Sequence, residues 1–403
     1  MEGDPDEYGD GMNTSLRDRV AIVSMGCTRF GDRWDSSAAD LLVEAANACV
    51  DGAGVGMETV EAFWVGTMDS GYSGMTLSAA LRTDRPVTRV ENLCSTGSDA
   101  LRNACFAVAS GAYERVLVAG VEKMNDGPYS GIVRRDPADD GSAPTTTAPG
   151  AFSYLVPAYC ERYGIDETTM RSVLTHIARK NHGNGSLNPR AQFQRAVTVA
   201  QIERSPLVAG MLRVFDCSGV ADGATAALVV PADQASRYTD KAMFVKSLSF
   251  VAGSQRGSVD PEYDFTTFPE VVESARQAYA EAGISGPRDQ LHMAEVHDCF
   301  TPTELVLMED LGFSERGSGW QDVLDGVFDL DGALPINPDG GLKSFGHPVG
   351  ASGLRMLYEC WLQFRGEAGE RQLADPTLAL THNLGGRPGR CVSFVSIVGA
   401  GLG

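Results

Sequence analysis

The chain has 403 residues, of which 43% are hydrophobic and 21% charged, so its composition is that of an ordinary globular protein rather than a disordered or collagen-like one. Its 53 acidic and 33 basic residues give a net charge of −20, opposite in sign to that of a general nucleic-acid-binding protein. The nine cysteines form no CxxC pair and no Cys/His cluster at metal-ligand spacing, which favours free thiols in a reducing cytoplasm and gives no sign of a metal site.

Residues 1–17 are acidic and polar and lack the pattern of a signal peptide, so we expect a flexible leader. No apolar run reaches the ~18 residues that a membrane-spanning helix needs. Short apolar strands then alternate with helices, which is typical of α/β layers. The predicted strands are 20–23, 62–65, 87–90 and 115–121, and the predicted helices are 37–50 and 99–109.

The alternation stops near Lys123. Residues 125–150 are rich in Asp, Gly, Pro, Ser and Thr, so we predict a mobile loop there and helical or irregular structure over 151–215. Between 171 and 204 the chain carries six basic residues against one acid, Glu203. This excess predicts either an anion-binding site or a solvated helix face with a chance surplus of basic residues.

The second part of the chain repeats the first in outline. Strand-like runs return at 224–230, and the α/β pattern resumes from about residue 243. Further strands are predicted at 294–296, 377–381 and 391–398. In both parts a strand leads to a cysteine and then to a helix, which suggests duplication.

The first such cysteine is Cys94, in the sequence ENLCSTGSDA. A thiol at a helix N-terminus faces free N–H groups and the positive end of the helix dipole, so we expect the thiolate to be favoured and the sulfur to act as a nucleophile. The alternative is a small buried hydrophobic residue, which is the common fate of a cysteine.

The second is Cys299, in His297-Asp298-Cys299-Phe300. Thr301 and Glu304 predict a capping box at the start of the following helix. An imidazole beside a thiol suits proton transfer or donation to an oxyanion, whereas the alternative is a buried cysteine near a surface histidine.

Two glycine-rich segments carry further candidates. His347 stands between glycine and proline in GHPVGASG, on a rigid loop before a helix, and is a candidate base for a cysteine, or else a structural turn residue. In His382-Asn383-Leu384-Gly385-Gly386, the Gly385 N–H could complete an oxyanion hole, although the glycine pair could equally form a simple turn.

In this order, the four elements resemble the thiolase family, and above all its sterol-carrier-protein-type and archaeal-type acetyl-CoA acetyltransferases. The resemblance covers about residues 19–400. Supporting matches are Val121–Met124, Lys180–His182, Asn188-Pro189, Gln192-Phe193 and Ser218–Ala224.

The resemblance implies an α/β thiolase fold: two similar βαβαβαββ halves in a five-layered α-β-α-β-α arrangement with an inserted loop domain. The expected divisions are a leader at 1–17, an N-terminal half at 18–122 plus 216–250, an inserted CoA-binding loop domain at 123–215, and a C-terminal half at 251–403. Thiolases are usually dimers or tetramers, so a homodimer or homotetramer is expected.

The resemblance also implies a mechanism. Cys94 matches the cysteine that is acylated, and His347 matches the histidine that activates it. Most thiolases carry Asn-Glu-Ala-Phe where this chain has the HDCF sequence, and Cys-x-Gly where it has Asn383-Leu384-Gly385. The sterol-carrier-type branch shows the same exchange, which makes Cys299 the acid/base and leaves Asn383 without a proton-transfer role.

Other expected roles follow from the same resemblance. His297 and His347 would hold the enolate oxygen, and the N–H groups of Cys94 and Gly385 would hold the thioester oxyanion. Coenzyme A enters as a substrate, and no cofactor is expected. The residues expected to bind coenzyme A are Ser218, His182, Arg179, Lys180 and Arg190.

Three rival functions are also compatible with the sequence. One is a condensing enzyme that uses a carrier protein, but such enzymes lack the second reactive cysteine. Another is a steroid side-chain-type aldolase, which is expected to have lost the two cysteines present here. The third is a silent scaffold for a zinc-ribbon/OB-fold partner protein, and retention of the reactive positions argues against silence without excluding the partner.

Overall fold

A computed structural model describes residues 15–127, 147–254, 257, 260 and 262–403. Its strands are β1 (Val20–Cys27), β2 (Ala62–Gly66), β3 (Val87–Val90), β4 (Val116–Lys123), β5 (Leu207–Ala209), β6 (Leu212–Arg213), β7 (Asp222–Pro231), β8 (Met243–Ala252), β9 (Met293–Glu295), β10 (Leu378–Arg387) and β11 (Arg390–Gly399). Its helices are α1 (Ala38–Gly52), α2 (Met75–Leu81), α3 (Thr96–Ala109), α4 (Ala148–Phe152), α5 (Leu155–Tyr163), α6 (Glu167–Ser186), α7 (Val199–Arg204), α8 (Pro269–Ala282), α9 (Pro287–Gln290), α10 (Thr301–Asp310), α11 (Gly319–Leu324), α12 (Gly341–Phe345) and α13 (Ser352–Arg365).

Nine of the described strands form one sheet in the order β3-β2-β4-β7-β1-β8-β11-β10-β9. In the first half, β3, β2 and β4 are parallel, whereas β7 and then β1 are added antiparallel. The second half repeats this order outward from β8: β11 and β10 pair antiparallel, and β9 is parallel to β10. The two halves meet where β1 pairs with β8. The predicted duplication is therefore present in the strand topology.

Helices cover both faces of the sheet and fill the space between the halves. On α1, a stripe of buried residues packs on β1, β4 and β7 because Leu41, Leu42, Ala45 and Cys49 recur at helical spacing. Helix α8 covers β8 and β11 on the other outer side, while α3 and α13 contact each other and lie between the halves. The layers follow the order α-β-α-β-α, as the fold prediction requires.

The segment inserted in the first half contains α4 to α7 and the small hairpin β5–β6. Helix α6 packs against α10, α11 and α12 of the second half. Residues 128–146, most of the predicted mobile loop, lie outside the described residues, whereas its last residues begin α4. Among the helices that the structure describes, none is long and apolar enough to cross a membrane.

Three details differ from the sequence predictions. Residues 15–17 of the predicted leader are ordered: Leu16 is buried and its N–H donates to Glu281 at 2.8 Å. The boundary expected at residue 250 falls inside β8, whose register with β11 extends over most of its length. Glu304 does not cap α10, because its carboxylate is taken by Lys180 and two asparagine side chains.

Candidate active site

Cys94 lies in a tight turn between β3 and α3. Leu93, just before it, has φ of 53°, a left-handed conformation that is costly for a residue with a branched side chain. The turn is held by Thr96, whose hydroxyl accepts from the Asn92 N–H at 2.9 Å and donates to the Leu93 carbonyl. Cys94 therefore sits immediately before Ser95, the N-cap of α3.

His347 belongs to the loop between α12 and α13, and glycines bring this loop against the first half. A Cβ added at Gly97 would lie 2.6 Å from the Gly350 carbonyl oxygen, and one at Gly120 would collide with the same atom. Because these positions carry no side chain, the backbones of α3, β4 and the His347 loop touch directly. The two halves of the chain thus meet at the side of Cys94.

A hydroxyl group fixes the orientation of the His347 ring. His347 Nδ1 lies 2.7 Å from Ser352 Oγ, and the Ser352 hydroxyl donates to the Pro348 carbonyl at 2.9 Å. Since the only hydroxyl proton is used on Pro348, Ser352 accepts from Nδ1–H, and Nε2 carries the free lone pair. Nε2 is buried and has no hydrogen-bond partner among the described residues.

His297 follows β9 and completes a cluster with the other two residues. The Cys94 sulfur and one ring nitrogen each from His297 and His347 all lie within 4.8 Å of one another. The two imidazole rings are nearly perpendicular, with centroids 5.4 Å apart. The turn that carries His297 is anchored by Asp298, which accepts from the Leu342 N–H at 2.6 Å and from the Asn181 side chain at 2.8 Å.

Cys299 lies two residues further on. Its sulfur is 3.7 Å from the Thr303 hydroxyl, and its carbonyl accepts from the Ser218 N–H at 2.8 Å. Burial raises the pKa of the Cys299 thiol, and the charge of an ionised Cys94 would raise it further.

The electrostatics correct one expectation. Burial raises the pKa of Cys94 to about 12, with Glu122 adding to the effect and the Gly386 N–H opposing it. Burial also lowers the pKa of His347 to about 3 and that of His297 well below its usual range. With burial as the largest cause of these shifts, the resting site holds a neutral thiol beside neutral imidazoles rather than a preformed thiolate.

The glycine-rich end of β10 lies beside the same turn. The Gly386 backbone N–H lowers the pKa of Cys94, while Gly385 comes close enough to Asn92 that a Cβ there would lie 2.7 Å from the Asn92 carbonyl oxygen. Asn383 accepts from the Ser98 hydroxyl. Its side-chain nitrogen is buried without a hydrogen-bond partner within the described ranges.

Two residues that hold the site were not assigned roles from the sequence. Glu122, almost fully buried at the end of β4, accepts from five donors: the Thr67 hydroxyl and the N–H groups of Met68, Asp69, Ser70 and Gly350. Ser352 is the other. The sequence places Ser352 five positions after His347, at the start of a helix, which could have pointed to it. Only the folded structure shows which groups its hydroxyl bonds to.

Two members of the predicted CoA-binding set have partners within the protein. Lys180 is buried and paired with Glu304 at 2.9 Å, and it donates to the Ile336 carbonyl. Arg190 donates to the Cys27 carbonyl and lies over the Tyr358 ring. Both cations therefore have partners within the protein, although Arg190 is only half-buried and Lys180 also lines the cavity beside Arg179. A role for either in binding CoA phosphates stays a prediction.

The other three members of that set lie in different places. His182 is buried between Phe193 and Phe215, and burial lowers its pKa to about 3. Ser218 reaches the site through its bond to Cys299. Arg179 lines a cavity of about 520 Å³ together with Thr198, Asp329 and Asp331.

Comparison with known proteins gives consistent results along the chain. Residues 20–233 match the family described as thiolase, N-terminal domain, and residues 252–396 match the thiolase C-terminal domain-like family. An acetyl-CoA acetyltransferase of Methanothermobacter thermautotrophicus is 38% identical over 93% of this chain and 98% of its own length. Sterol carrier protein 2 of Homo sapiens is 32% identical over 91% of this chain and 70% of its own length.

Solved structures show the same fold. The human mitochondrial 3-ketoacyl-CoA thiolase has a TM-score of 0.70 at 20% identity, covering 96% of this chain and all of that one. An Ltp2-ChsH2(DUF35) aldolase has a TM-score of 0.84 at 23% identity, covering 96% of this chain and 99% of that one. With the family match spanning both halves, and with a cysteine and two histidines converging where those halves meet, the chain belongs to the thiolase family.

Proposed function

We propose that the protein is an acyl-CoA C-acyltransferase that cleaves 3-oxoacyl-CoA with CoA, or runs the reverse condensation of acetyl-CoA. The observation that carries this proposal is the convergence of Cys94, His297 and His347 within 4.8 Å. The 38% identical acetyl-CoA acetyltransferase supports the same activity.

In the degradative direction, the Cys94 sulfur attacks the keto carbon of the substrate while its proton passes to His347 Nε2. Because the resting thiol is neutral, this transfer must accompany the attack, and the lone pair fixed by Ser352 is the acceptor. The carbon–carbon bond breaks, and Cys299 protonates the departing acetyl-CoA carbanion. The thiol of a second CoA then gives its proton to the Cys299 thiolate and takes the acyl group from Cys94. The released Cys94 sulfur recovers its proton from His347, which restores the free enzyme.

In the synthetic direction, Cys299 removes the α-proton of acetyl-CoA, and the carbanion attacks acyl-Cys94. We assign His297 and His347 to the enolate oxygen, and the N–H groups of Cys94 and Gly385 to the thioester oxygen. The influence of the Gly386 N–H, which lowers the pKa of Cys94, supports a backbone donor at this end of β10.

The test is acetoacetyl-CoA with CoA. We expect release of acetyl-CoA with ping-pong kinetics, and a Cys94 peptide that carries one acetyl group after incubation with acetyl-CoA alone. Cys94→Ala should abolish both, whereas Cys160→Ser, a thiol on α5, should leave them intact. Turnover by a folded Cys94→Ala protein would refute the assignment.

The alternative is an aldolase, since one similar structure carries that name. The two thiols of this chain favour acyl transfer, because aldol cleavage needs no acyl-cysteine. Carbon–carbon cleavage that needs no CoA and survives Cys94→Ala would support the aldolase instead.

The remaining parts of the proposal concern the setting. CoA acts as a substrate, we propose no further cofactor, and the arrangement of two thiols that must stay reduced suits a cytoplasmic location. The cavity beside Arg179 is the proposed place for the CoA phosphates, with Ser218 near the pantetheine and His182 as a packing residue.

We also propose a homodimer or homotetramer, and an optional zinc-ribbon/OB-fold partner protein. Strand β3 forms an outer edge of the sheet, and the nearby Tyr72 and Met75 are exposed, which supports pairing of two copies there. Analytical ultracentrifugation should give a mass of at least two chains, and a single-chain mass at all concentrations would contradict this. The name of the two-component aldolase supports a partner for that protein, and co-expression with such a partner should raise the acyl-transfer rate.

A further inference from the structure

The cluster at the meeting point of the two halves has a second chemical capacity. A thiol sulfur and two imidazole nitrogens form a ligand set that zinc prefers, and here the three atoms lie within 4.8 Å of one another. No second group of three His, Cys, Asp or Glu side chains meets this spacing within the described part of the chain.

The ligand atoms are ready to bind. Ser352 accepts the Nδ1 proton of His347, so Nε2 keeps a free lone pair and has no hydrogen-bond partner among the described residues. His297 Nδ1 is buried and also lacks a hydrogen-bond partner in the described structure. Buried unpaired nitrogens are costly, and coordination of a cation would satisfy them.

The required movement is small. In tetrahedral coordination, Zn–N of ~2.0 Å and Zn–S of ~2.3 Å put ligand atoms ~3.3–3.6 Å apart, so the present spacing must close by about 1 Å. Three protein ligands leave a fourth position for water.

We propose that Cys94, His297 and His347 form a binding site for Zn²⁺ or a similar thiophilic divalent cation, which holds the protein in an inactive state. The thiol releases its proton to solvent as the metal–sulfur bond forms, and no oxidation is involved. A metal-bound sulfur cannot form a thioester, so metal binding and acylation exclude each other. Removal of the cation by a chelator, with return of the proton, restores the free thiol.

The site is tested with Co²⁺, which gives a sulfur-to-cobalt charge-transfer absorption only when a thiolate coordinates it. We expect one Co²⁺ per chain with this absorption, displaced by one equivalent of Zn²⁺. Prior alkylation of Cys94 should abolish it. The readout uses no substrate, so its outcome is independent of whether acyl transfer is the activity.

Variants identify the ligands. Cys94→Ala should lose the absorption, and Ser352→Ala, which frees the His347 ring, should weaken Co²⁺ binding by about 10–100-fold. The matched controls Cys160→Ser and His176→Asn should bind as the wild type does. Circular dichroism and urea midpoints establish that each variant is folded. An absorption that persists in folded Cys94→Ala, or none in the wild type, would overturn the proposal.

Discussion

The protonation state of Cys94 in the resting protein leads to a prediction that separates two kinds of cysteine enzyme. In a thiolate–imidazolium pair, reactivity toward iodoacetamide is constant over a broad neutral range. Here the pKa of Cys94 is raised to about 12 by burial and that of His347 is lowered to about 3. Neither group is charged near neutrality, so reactivity should follow the rare thiolate.

The magnitude follows from the pKa. A thiol with a pKa of about 12 is ionised to about 1 part in 10⁵ at pH 7, and this fraction rises tenfold with each pH unit. A free cysteine with a pKa of about 8.5 is ionised roughly 10³ times more at pH 7 and levels off above pH 9. The alkylation rate of Cys94 should therefore rise about tenfold per unit from pH 7 to 9 without levelling.

The assay must follow one thiol among nine. Timed samples quenched at each pH and digested for mass spectrometry report the Cys94 peptide separately, and the half-exposed Cys160 serves as an internal reference that reacts faster. A rate for Cys94 that is flat between pH 6 and 9, or faster than that of a free cysteine, would refute the neutral-pair interpretation and restore the preformed thiolate.

Three further predictions concern the frame of the site and its pH response. Glu122→Gln replaces one carboxylate oxygen by an NH2 group, so two of the four backbone N–H groups that donate to Glu122 lose their acceptor. Urea denaturation should therefore show a loss of about 2–6 kcal/mol, against almost none for the exposed Glu203→Gln. Gly120→Ala places a Cβ against the backbone of the His347 loop, so it should lower the free energy of unfolding by about 1–3 kcal/mol and remove most of the activity. The control Gly183→Ala, at a helix position with open space, should be neutral or stabilising in urea denaturation. Equal effects of the two substitutions on stability would contradict the packing argument. Because the folded-state pKa of His182 is lowered to about 3, the unfolded chain takes up the proton first as pH falls below about 6.5, and stability is lost on the way toward pH 3. In His182→Leu this loss should be smaller by up to about 1.4 kcal/mol per pH unit, and an unchanged slope of urea stability against pH would count against a buried neutral ring.

Local pattern was sufficient for much of the fold. Helix α1 follows from its apolar spacing and from the Ser37 capping box, and the observed β3 coincides with the predicted 87–90, since both depend on residues close in sequence. The repeated strand–cysteine–helix element likewise predicted the duplication and identified Cys94 and Cys299 as candidates, and the GHPVGASG loop identified His347.

Contacts between distant residues decided the rest. A count of charges along the chain treats Lys180 as a free cation, but in the folded protein it is paired with Glu304. The same contact keeps Glu304 from forming the helix cap that its spacing predicts. Whether Cys94 is a thiolate also depends on tertiary structure, because burial is a property of everything packed around the sulfur, and burial is the main cause of its raised pKa. A sequence determines which side chains can do the chemistry, whereas their charge and free lone pairs are settled only when the surrounding atoms displace water.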